Sequence, residues 1–299
     1  MKINKKILFV LFIFLNALLF YVLIQLWAYT VRNSINGINA KTDSANIPVI
    51  NKSVQDIRTN SKAFIIYDPS SRAVVAGKNE KLRFAPASTA KIMTSTIVIE
   101  NYPLDRILTA KGLDEVEGSK MGLFENENIT VANLLYGLML PSGNDAAHVL
   151  AQNFPGGQSA FVNKMNEKAS VLQLYNTRFF DPAGYSDDNY TTAFDLARLA
   201  AYAMQNPTFA KVVGTRNITV WDSLGKIEHK LENLNELLGQ NGVTGIKTGF
   251  TDEAGGVLVT SINKNDKTYI IVVLNTPDRF GDTRGIIENA IRNLNILSF

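Results

Sequence analysis

Ser88 and Lys91 stand three residues apart in Phe84-Ala85-Pro86-Ala87-Ser88-Thr89-Ala90-Lys91-Ile92-Met93-Thr94, a stretch that reads as the opening of a helix. On a helix both side chains share one face, within reach of each other. A serine hydroxyl is a poor nucleophile until a base removes its proton. A lysine can be that base only as the neutral amine, and an exposed lysine titrates near ~10.4. Burial and a second nearby cation both favour the neutral form, and a fully buried lysine falls by roughly 3–5 units. Many solvated helices carry a serine and a lysine at this spacing by chance, so the pair gains weight only with help from elsewhere. Two stretches offer it: Pro141-Ser142-Gly143-Asn144-Asp145 after an apolar helical run, and Gly245-Ile246-Lys247-Thr248-Gly249-Phe250-Thr251 opening a strand-like run.

Composition narrows the chemistry further. The chain has 299 residues, 46% hydrophobic and 19% charged, enough for a sizeable core. Its net charge of +3 is small and its cations are scattered, so no basic stripe argues for nucleic acid. With no cysteine and only His148 and His229, thiol catalysis, zinc–thiolate sites, disulfides and a three-histidine metal site are excluded. No metal or cofactor is expected. His148, four residues past Asn144 on an apolar helix, reads as a packed or capping side chain.

The elements that must position these residues follow from periodicity. Ala63–Tyr67 and Ala73–Ala76 read as a β-hairpin around Asp68-Pro69-Ser70-Ser71-Arg72. Pro86 suits a helix start, with Ile92, Met93, Ile97 and Val98 as the buried flank, and Ser88 then sits near a helix N-terminus that favours developing negative charge. Thr130–Leu140 reads as a capped helix stopped by Pro141, which puts Ser142 and Asn144 on the loop before the next helix, Asp145 to Gln152. Helices are expected at Gln158–Leu172, Thr192–Met204 and Leu231–Leu238, strands at Gly245–Phe250, Gly256–Ile262 and Thr268–Leu274, and a closing helix at Asp282–Ile296. Strands at both ends around a helical middle imply an α+β architecture, an antiparallel sheet built from both ends of the domain plus a helical subdomain, with the site in the groove between.

Ahead of that domain, Ile7–Trp27 is an almost unbroken apolar run of 21 residues, long enough to span a bilayer. Lys2, Lys5 and Lys6 precede it and Arg32 alone follows closely, so the N-terminus is expected in the cytoplasm and the rest outside. The run exceeds a usual signal-peptide core and lacks a small-x-small cleavage site, which favours a retained anchor. The expected organisation is a cytoplasmic N-terminus and transmembrane helix over 1–30, a flexible linker over 31–60, and one catalytic domain over 61–299.

The three stretches match, in order, the serine–lysine, serine–asparagine and lysine–threonine–glycine signatures of penicillin-recognising serine enzymes. From Ser61 to Phe299 the chain resembles the D-alanyl-D-alanine carboxypeptidases among the low-molecular-mass penicillin-binding proteins, relatives of class A β-lactamases. The likeness extends to Asn144-Asp145-Ala146-Ala147, Phe161-Val162-Asn163-Lys164-Met165-Asn166, Asp181-Pro182-Ala183-Gly184 and Thr192-Ala193-Phe194-Asp195-Leu196-Ala197. It implies a β-lactamase/transpeptidase-like fold and trimming of peptidoglycan stem pentapeptides, with β-lactam antibiotics as covalent inhibitors. Residue by residue, it implies Ser88 as the acylated nucleophile, Lys91 as its base, Ser142 as a proton relay and Asn144 as the hold on Lys91 and the substrate amide. Lys247 would supply the second cation and keep its charge, Thr248 would bond near the substrate carboxylate, and Gly249 would leave the strand edge bare. The Ser88 and Phe250 N–H groups would form the oxyanion hole, and Arg279, with Arg284 as rival, would bind the terminal carboxylate.

Two departures qualify the likeness. Many family members carry a further β-rich domain and a C-terminal amphipathic helix, whereas Phe299 follows soon after the closing helix, so the N-terminal anchor is expected to tether the enzyme to the cell membrane with its catalytic domain outside. The deacylating glutamate of β-lactamases has no counterpart at Asp181-Pro182-Ala183-Gly184-Tyr185, and Glu167 reads as helix surface. The alternatives are a D,D-endopeptidase acting on cross-links and a non-catalytic, membrane-tethered peptidoglycan-binding module. Pure binding would not need the serine and both lysines together.

Overall fold

The computed structural model describes residue 25 and residues 47–50, 57–264, 266–291 and 294–297. The chain divides into two units, and all named elements lie in the one spanning Ile47–Leu297. Apart from Gln25, the expected membrane span falls outside the described residues; among those described, no helix is long and apolar enough to cross a membrane.

The centre of the unit is a five-stranded antiparallel sheet whose strands come from both ends of the domain: β2 (Ala63–Asp68), β3 (Ala73–Lys78), β8 (Val243–Thr251), β9 (Gly255–Lys264) and β10 (Lys267–Thr276), in the order β3-β2-β10-β9-β8. The middle strands read as unbroken apolar runs because both sheet faces are covered, and the alternation of side chains divides each run in two. Ala63, Ile65 and Tyr67 of β2, with Ile270, Val272 and Leu274 of β10, join the large core shared with the helices. Phe64 and Ile66, with Tyr269, Ile271 and Val273, face the other way onto Ile286 and Ile287 of helix α7 (Arg279–Asn289) and onto Ala290 just beyond it.

The helical side contains α1 (Lys91–Asn101), α2 (Val131–Met139), α3 (Asn144–Gln152), α4 (Gly157–Val171), α5 (Ala193–Met204) and α6 (Pro207–Val213). Thr130 and Thr192 cap α2 and α5 by accepting the N–H groups of Asn133 and Asp195, which stabilises each helix by about 1 kcal/mol. Helix α1 is the central one, buried from Lys91 to Val98.

Three expectations change. Leu231–Leu238 is not helical: Glu228–Glu232 is strand β7, paired with β6 (Asn217–Trp221), and buries His229 and Leu231 in alternation. The Leu spacing that suggested a helix is overridden by that pairing, and by Asn233 and Asn235, whose side-chain oxygens take the N–H groups of Asn235 and Leu237 in local turns. The closing helix starts earlier and ends sooner than Asp282–Ile296, because Asp278 accepts the Gly281 N–H as its cap. Leu294–Leu297 instead forms strand β11, whose partner β1 (Ile47–Ile50) lies inside the stretch read as a linker. The remaining strands, β4 (Ile107–Thr109) and β5 (Asn128–Thr130), form a short antiparallel pair that the sequence did not announce.

Candidate active site

Ser88 belongs to a 3₁₀ turn, Ala87–Ala90, and Lys91 is the first residue of α1. Three residues per turn bring positions i and i+3 into register, and Lys91 Nζ sits 3.0 Å from Ser88 Oγ. The same Nζ lies 2.7 Å from Asn144 Oδ1 and 2.7 Å from the Ala183 carbonyl. As an ammonium, Lys91 donates to all three. As a neutral amine it keeps two donors for the two partners that can only accept, Asn144 Oδ1 and the Ala183 carbonyl, and its lone pair faces the one partner that carries a proton, Ser88. The cage thus serves both protonation states without rearrangement.

Each arm of the cage is held in turn. Asn144, at the N-terminus of α3, donates its backbone N–H to the Ser119 carbonyl and its Nδ2 to the Glu117 carbonyl, both at 2.7 Å, which fixes Oδ1 toward Lys91. Its neighbour Asp145 accepts the N–H groups of Met121, Gly122 and Leu123 and so ties the loop bearing Glu117 and Ser119 to α3. That loop is anchored at its far end by a buried pair, His229 Nε2 with Glu127 Oε1 at 2.7 Å. Ser142 is buried just ahead of α3 in left-handed backbone, φ 66°, and is not one of the three partners of Lys91.

From the sheet side, β8 runs along the Ser88 turn. A Cβ at Gly249 would stand 3.1 Å from Ser88 N and 3.1 Å from Ala87 Cβ, so glycine allows this approach. Lys247 and Thr248 are buried on β8, with Lys247 Nζ donating to the Thr248 carbonyl at 3.1 Å. Arg279, at the start of α7, reaches the Gly249 carbonyl with Nη1 at 3.4 Å, whereas Arg284 is exposed. Phe250 is exposed and lines, with Ser88, Asn144, Gly184 and Tyr185, a cleft of about 410 Å³.

Burial sets the electrostatics of the two lysines. Burial pulls Lys91 down to about 7, against the pull of the Asp181 and Asp145 carboxylates. Lys247 has no such carboxylates: burial, then the charges of Lys91 and Arg279, push it well below the ordinary lysine range. Burial thus disfavours the ammonium form of both lysines, and each lysine's charge weighs on the other.

Residues outside this cage take structural partners. Glu167 pairs with Lys164 at 3.1 Å on the surface of α4, and His148 Nε2 meets the Lys111 carbonyl at 3.1 Å. Among the described residues, no group of three His, Cys, Asp or Glu side chains could hold a metal. Reasoning from residue types missed the carbonyls of Glu117, Ser119 and Ala183, because any residue can supply a carbonyl; the turn composition of Asp181-Pro182-Ala183-Gly184 was the one available signal.

Residues 50–278 match the family model described as D-alanyl-D-alanine carboxypeptidase. The chain belongs to this family. Among carboxypeptidase relatives, D-alanyl-D-alanine carboxypeptidase DacF of Bacillus subtilis is 32% identical over 230 residues, covering 74% of this chain and 59% of that protein. The match therefore spans less than two thirds of the Bacillus protein's length. A D-alanyl-D-alanine endopeptidase of Pseudomonas aeruginosa is 34% identical over 226 residues, covering 74% of this chain and 72% of that one. The crystal structure of the Streptomyces K15 DD-transpeptidase superposes with a TM-score of 0.74 at 31% identity, covering 79% of this chain and 98% of that chain. The α+β arrangement with its antiparallel sheet is thus the fold of solved penicillin-binding peptidases.

Proposed function

We propose that this carboxypeptidase-family chain removes the terminal D-alanine from peptidoglycan stem pentapeptides through an acyl-enzyme on Ser88. The observation that carries the reading is Lys91 Nζ, caged by Asn144 and Ala183, 3.0 Å from Ser88 Oγ. The substrate peptide lies along β8, which ends the sheet order, and pairs with its backbone. Its terminal carboxylate settles near Lys247, Thr248 and Arg279, and that negative charge favours the Lys247 ammonium. A charged Lys247 in turn disfavours the Lys91 ammonium, so binding itself prepares the base. Lys91 then takes the Ser88 proton, Oγ attacks the scissile carbonyl, and the oxyanion is held by the Ser88 and Phe250 N–H groups. The proton passes through Ser142 to the leaving D-alanine amine. Water, activated by the same base, hydrolyses the ester. A β-lactam takes the same path as far as the acyl-enzyme.

The cleft at Ser88 shares Asp187, Asp252 and Glu253 with an adjoining open groove of about 900 Å³. That room favours a second reading, cleavage of cross-linked dimers, in which a second stem peptide occupies the acceptor side. The enzyme is further proposed to be a single-pass membrane protein, anchored by Ile7–Trp27 with the catalytic domain outside the cytoplasm.

The test uses the full-length protein in detergent. Fluorescent penicillin should label it covalently, a diacyl peptide ending in D-Ala-D-Ala should release D-alanine, and Ser88→Ala should abolish both. Release by the Ala variant would overturn the assignment of the nucleophile. Faster cleavage of a cross-linked dimer than of the pentapeptide would favour the endopeptidase reading.

A further inference from the structure

The turn that supplies the Ala183 carbonyl is organised by one side chain. Asp181 Oδ1 accepts the N–H groups of Ala183 and Gly184 at 2.7 Å and of Tyr185 at 3.2 Å, while Oδ2 accepts Ser186 N–H at 2.8 Å and Asn189 Nδ2 at 2.6 Å. Five donors on one carboxylate curl residues 181–186 into a fixed shape. The turn is then pinned to its surroundings residue by residue. Thr94 Oγ1 donates to the Pro182 carbonyl at 2.5 Å, Lys91 to Ala183, and the Tyr185 hydroxyl to the Glu117 carboxylate at 2.6 Å. Gly184 lies so close to Ala87 that a Cβ there would collide with the Ala87 carbonyl oxygen.

We propose that Asp181 is a positioning residue for Lys91: it curls the 181–186 turn so that the Ala183 carbonyl takes one N–H of the amine, and its carboxylate sets a fixed negative charge nearby. The inference rests on the reading of Lys91 as the base for Ser88. The position calls for a carboxylate and not an amide. An asparagine could keep its oxygen toward Ala183, Gly184 and Tyr185, but its NH₂ would then confront two further donors, Ser186 N–H and Asn189 Nδ2. Asn189 cannot turn to accept, because its own oxygen holds the Phe180 N–H at 2.8 Å.

The charged groups around Lys91 are few. Asp181 faces it from the turn and Asp145 from α3, both favouring the ammonium, while Lys247 on β8 opposes it when charged and is itself faced by Arg279. Asp181 is the foremost of the charges that hold the proton against burial. Removing that charge therefore moves Lys91 toward the neutral amine at lower pH.

The experiment measures the rate of acylation by fluorescent penicillin across pH 5–10 for the full-length wild type, Asp181→Asn and Asp181→Glu, with a thermal melt of each. In Asp181→Asn the midpoint of the rising limb should fall by about 0.5–1 unit. In Asp181→Glu the charge remains but the added methylene displaces the turn, so the midpoint should hold while the plateau rate drops at least about fivefold. An unmoved midpoint in the Asn variant, a wild-type rate in the Glu variant, or failure of both to fold would each overturn the proposal. A wild type that penicillin does not label would instead overturn the reading of Ser88 and Lys91.

Discussion

Asn144 turns its side-chain oxygen to Lys91 Nζ, 2.7 Å away, because the nitrogen of the same amide is committed to the Glu117 carbonyl at 2.7 Å. The lysine therefore meets a neutral acceptor at that point and not a charge. Asn144→Asp would place a carboxylate there, hold the proton on Lys91, and lose the donor to Glu117. We expect the midpoint of the pH–acylation profile to rise by about 1–3 units, with acylation at pH 7 down at least tenfold and partly regained toward pH 9. An unmoved midpoint would contradict the electrostatic role of the cage.

The two lysines should respond differently to arginine. In the proposed mechanism acylation needs neutral Lys91, so the wild-type rate should rise with pH through about 7. It should fall again when substrate-bound Lys247 loses its proton. Lys91→Arg stays protonated above pH ~12 and should lose about 10²–10⁴-fold. Lys247→Arg keeps a cation for the carboxylate and should lose less. Penicillin acylation rates over pH 5–11 decide this: equal losses, or a flat wild-type profile, would overturn the division of labour.

Gly184 offers a test of packing. It adopts φ 77° directly against the Ala87 carbonyl, whereas Gly157, at φ 74°, has open space where a Cβ would go. Gly157→Ala should cost only the backbone term of about 1–2 kcal/mol. Gly184→Ala adds a collision that pushes the turn away from α1, so a further cost of about 1–3 kcal/mol is expected, with at least a tenfold loss of acylation. Chemical denaturation of both variants, alongside penicillin labelling, compares the two sites.

His229 and Glu127 make stability depend on pH. The hydrogen bond to Glu127 raises His229 above its ordinary value, so as pH rises the unfolded chain gives up this proton first. The contribution is complete below about pH 6.5 and is lost as pH rises through the raised folded value. Glu127→Gln should therefore destabilise the protein by about 1–3 kcal/mol at pH 6 and by less at pH 9. Thermal melts at the two pH values read this directly; an equal cost at both would exclude the ionic contribution.

Much of this arrangement was legible in the sequence, for identifiable reasons. Ser88 with Lys91, Ser142 with Asn144 and Lys247 through Gly249 stand out because each group sits in a short run with its own local geometry, and the apolar runs of β2, β9 and β10 are long enough to name the sheet. Ser88 itself was misplaced by one turn type, since the 3₁₀ turn before α1 differs from a helix start only in hydrogen bonding. The roles of Asp145 and Asp181 were out of reach because both act by collecting backbone N–H groups, which leave no trace in residue identity. Leu231–Leu238 misled because its leucines fit a helix while a partner strand 10 or so residues earlier, β6, decided the outcome. The carboxylates of Asp181 and Asp145 that face Lys91 could not be read either, since they come from the 181–186 turn and from α3.

Strand β1 pairs with β11 so that Ile47 stands opposite Leu297 and Ile50 opposite Leu294. A soluble fragment trimmed at Ser61, where the sequence alone would set the domain boundary, discards one strand of that pair and leaves the other with a bare ladder of N–H and C=O groups. Such an edge recruits strands from other molecules. Dimers or aggregates of the trimmed fragment would then report the cut and not the enzyme, and a fragment that begins at Ile47 should remain monodisperse under the same conditions.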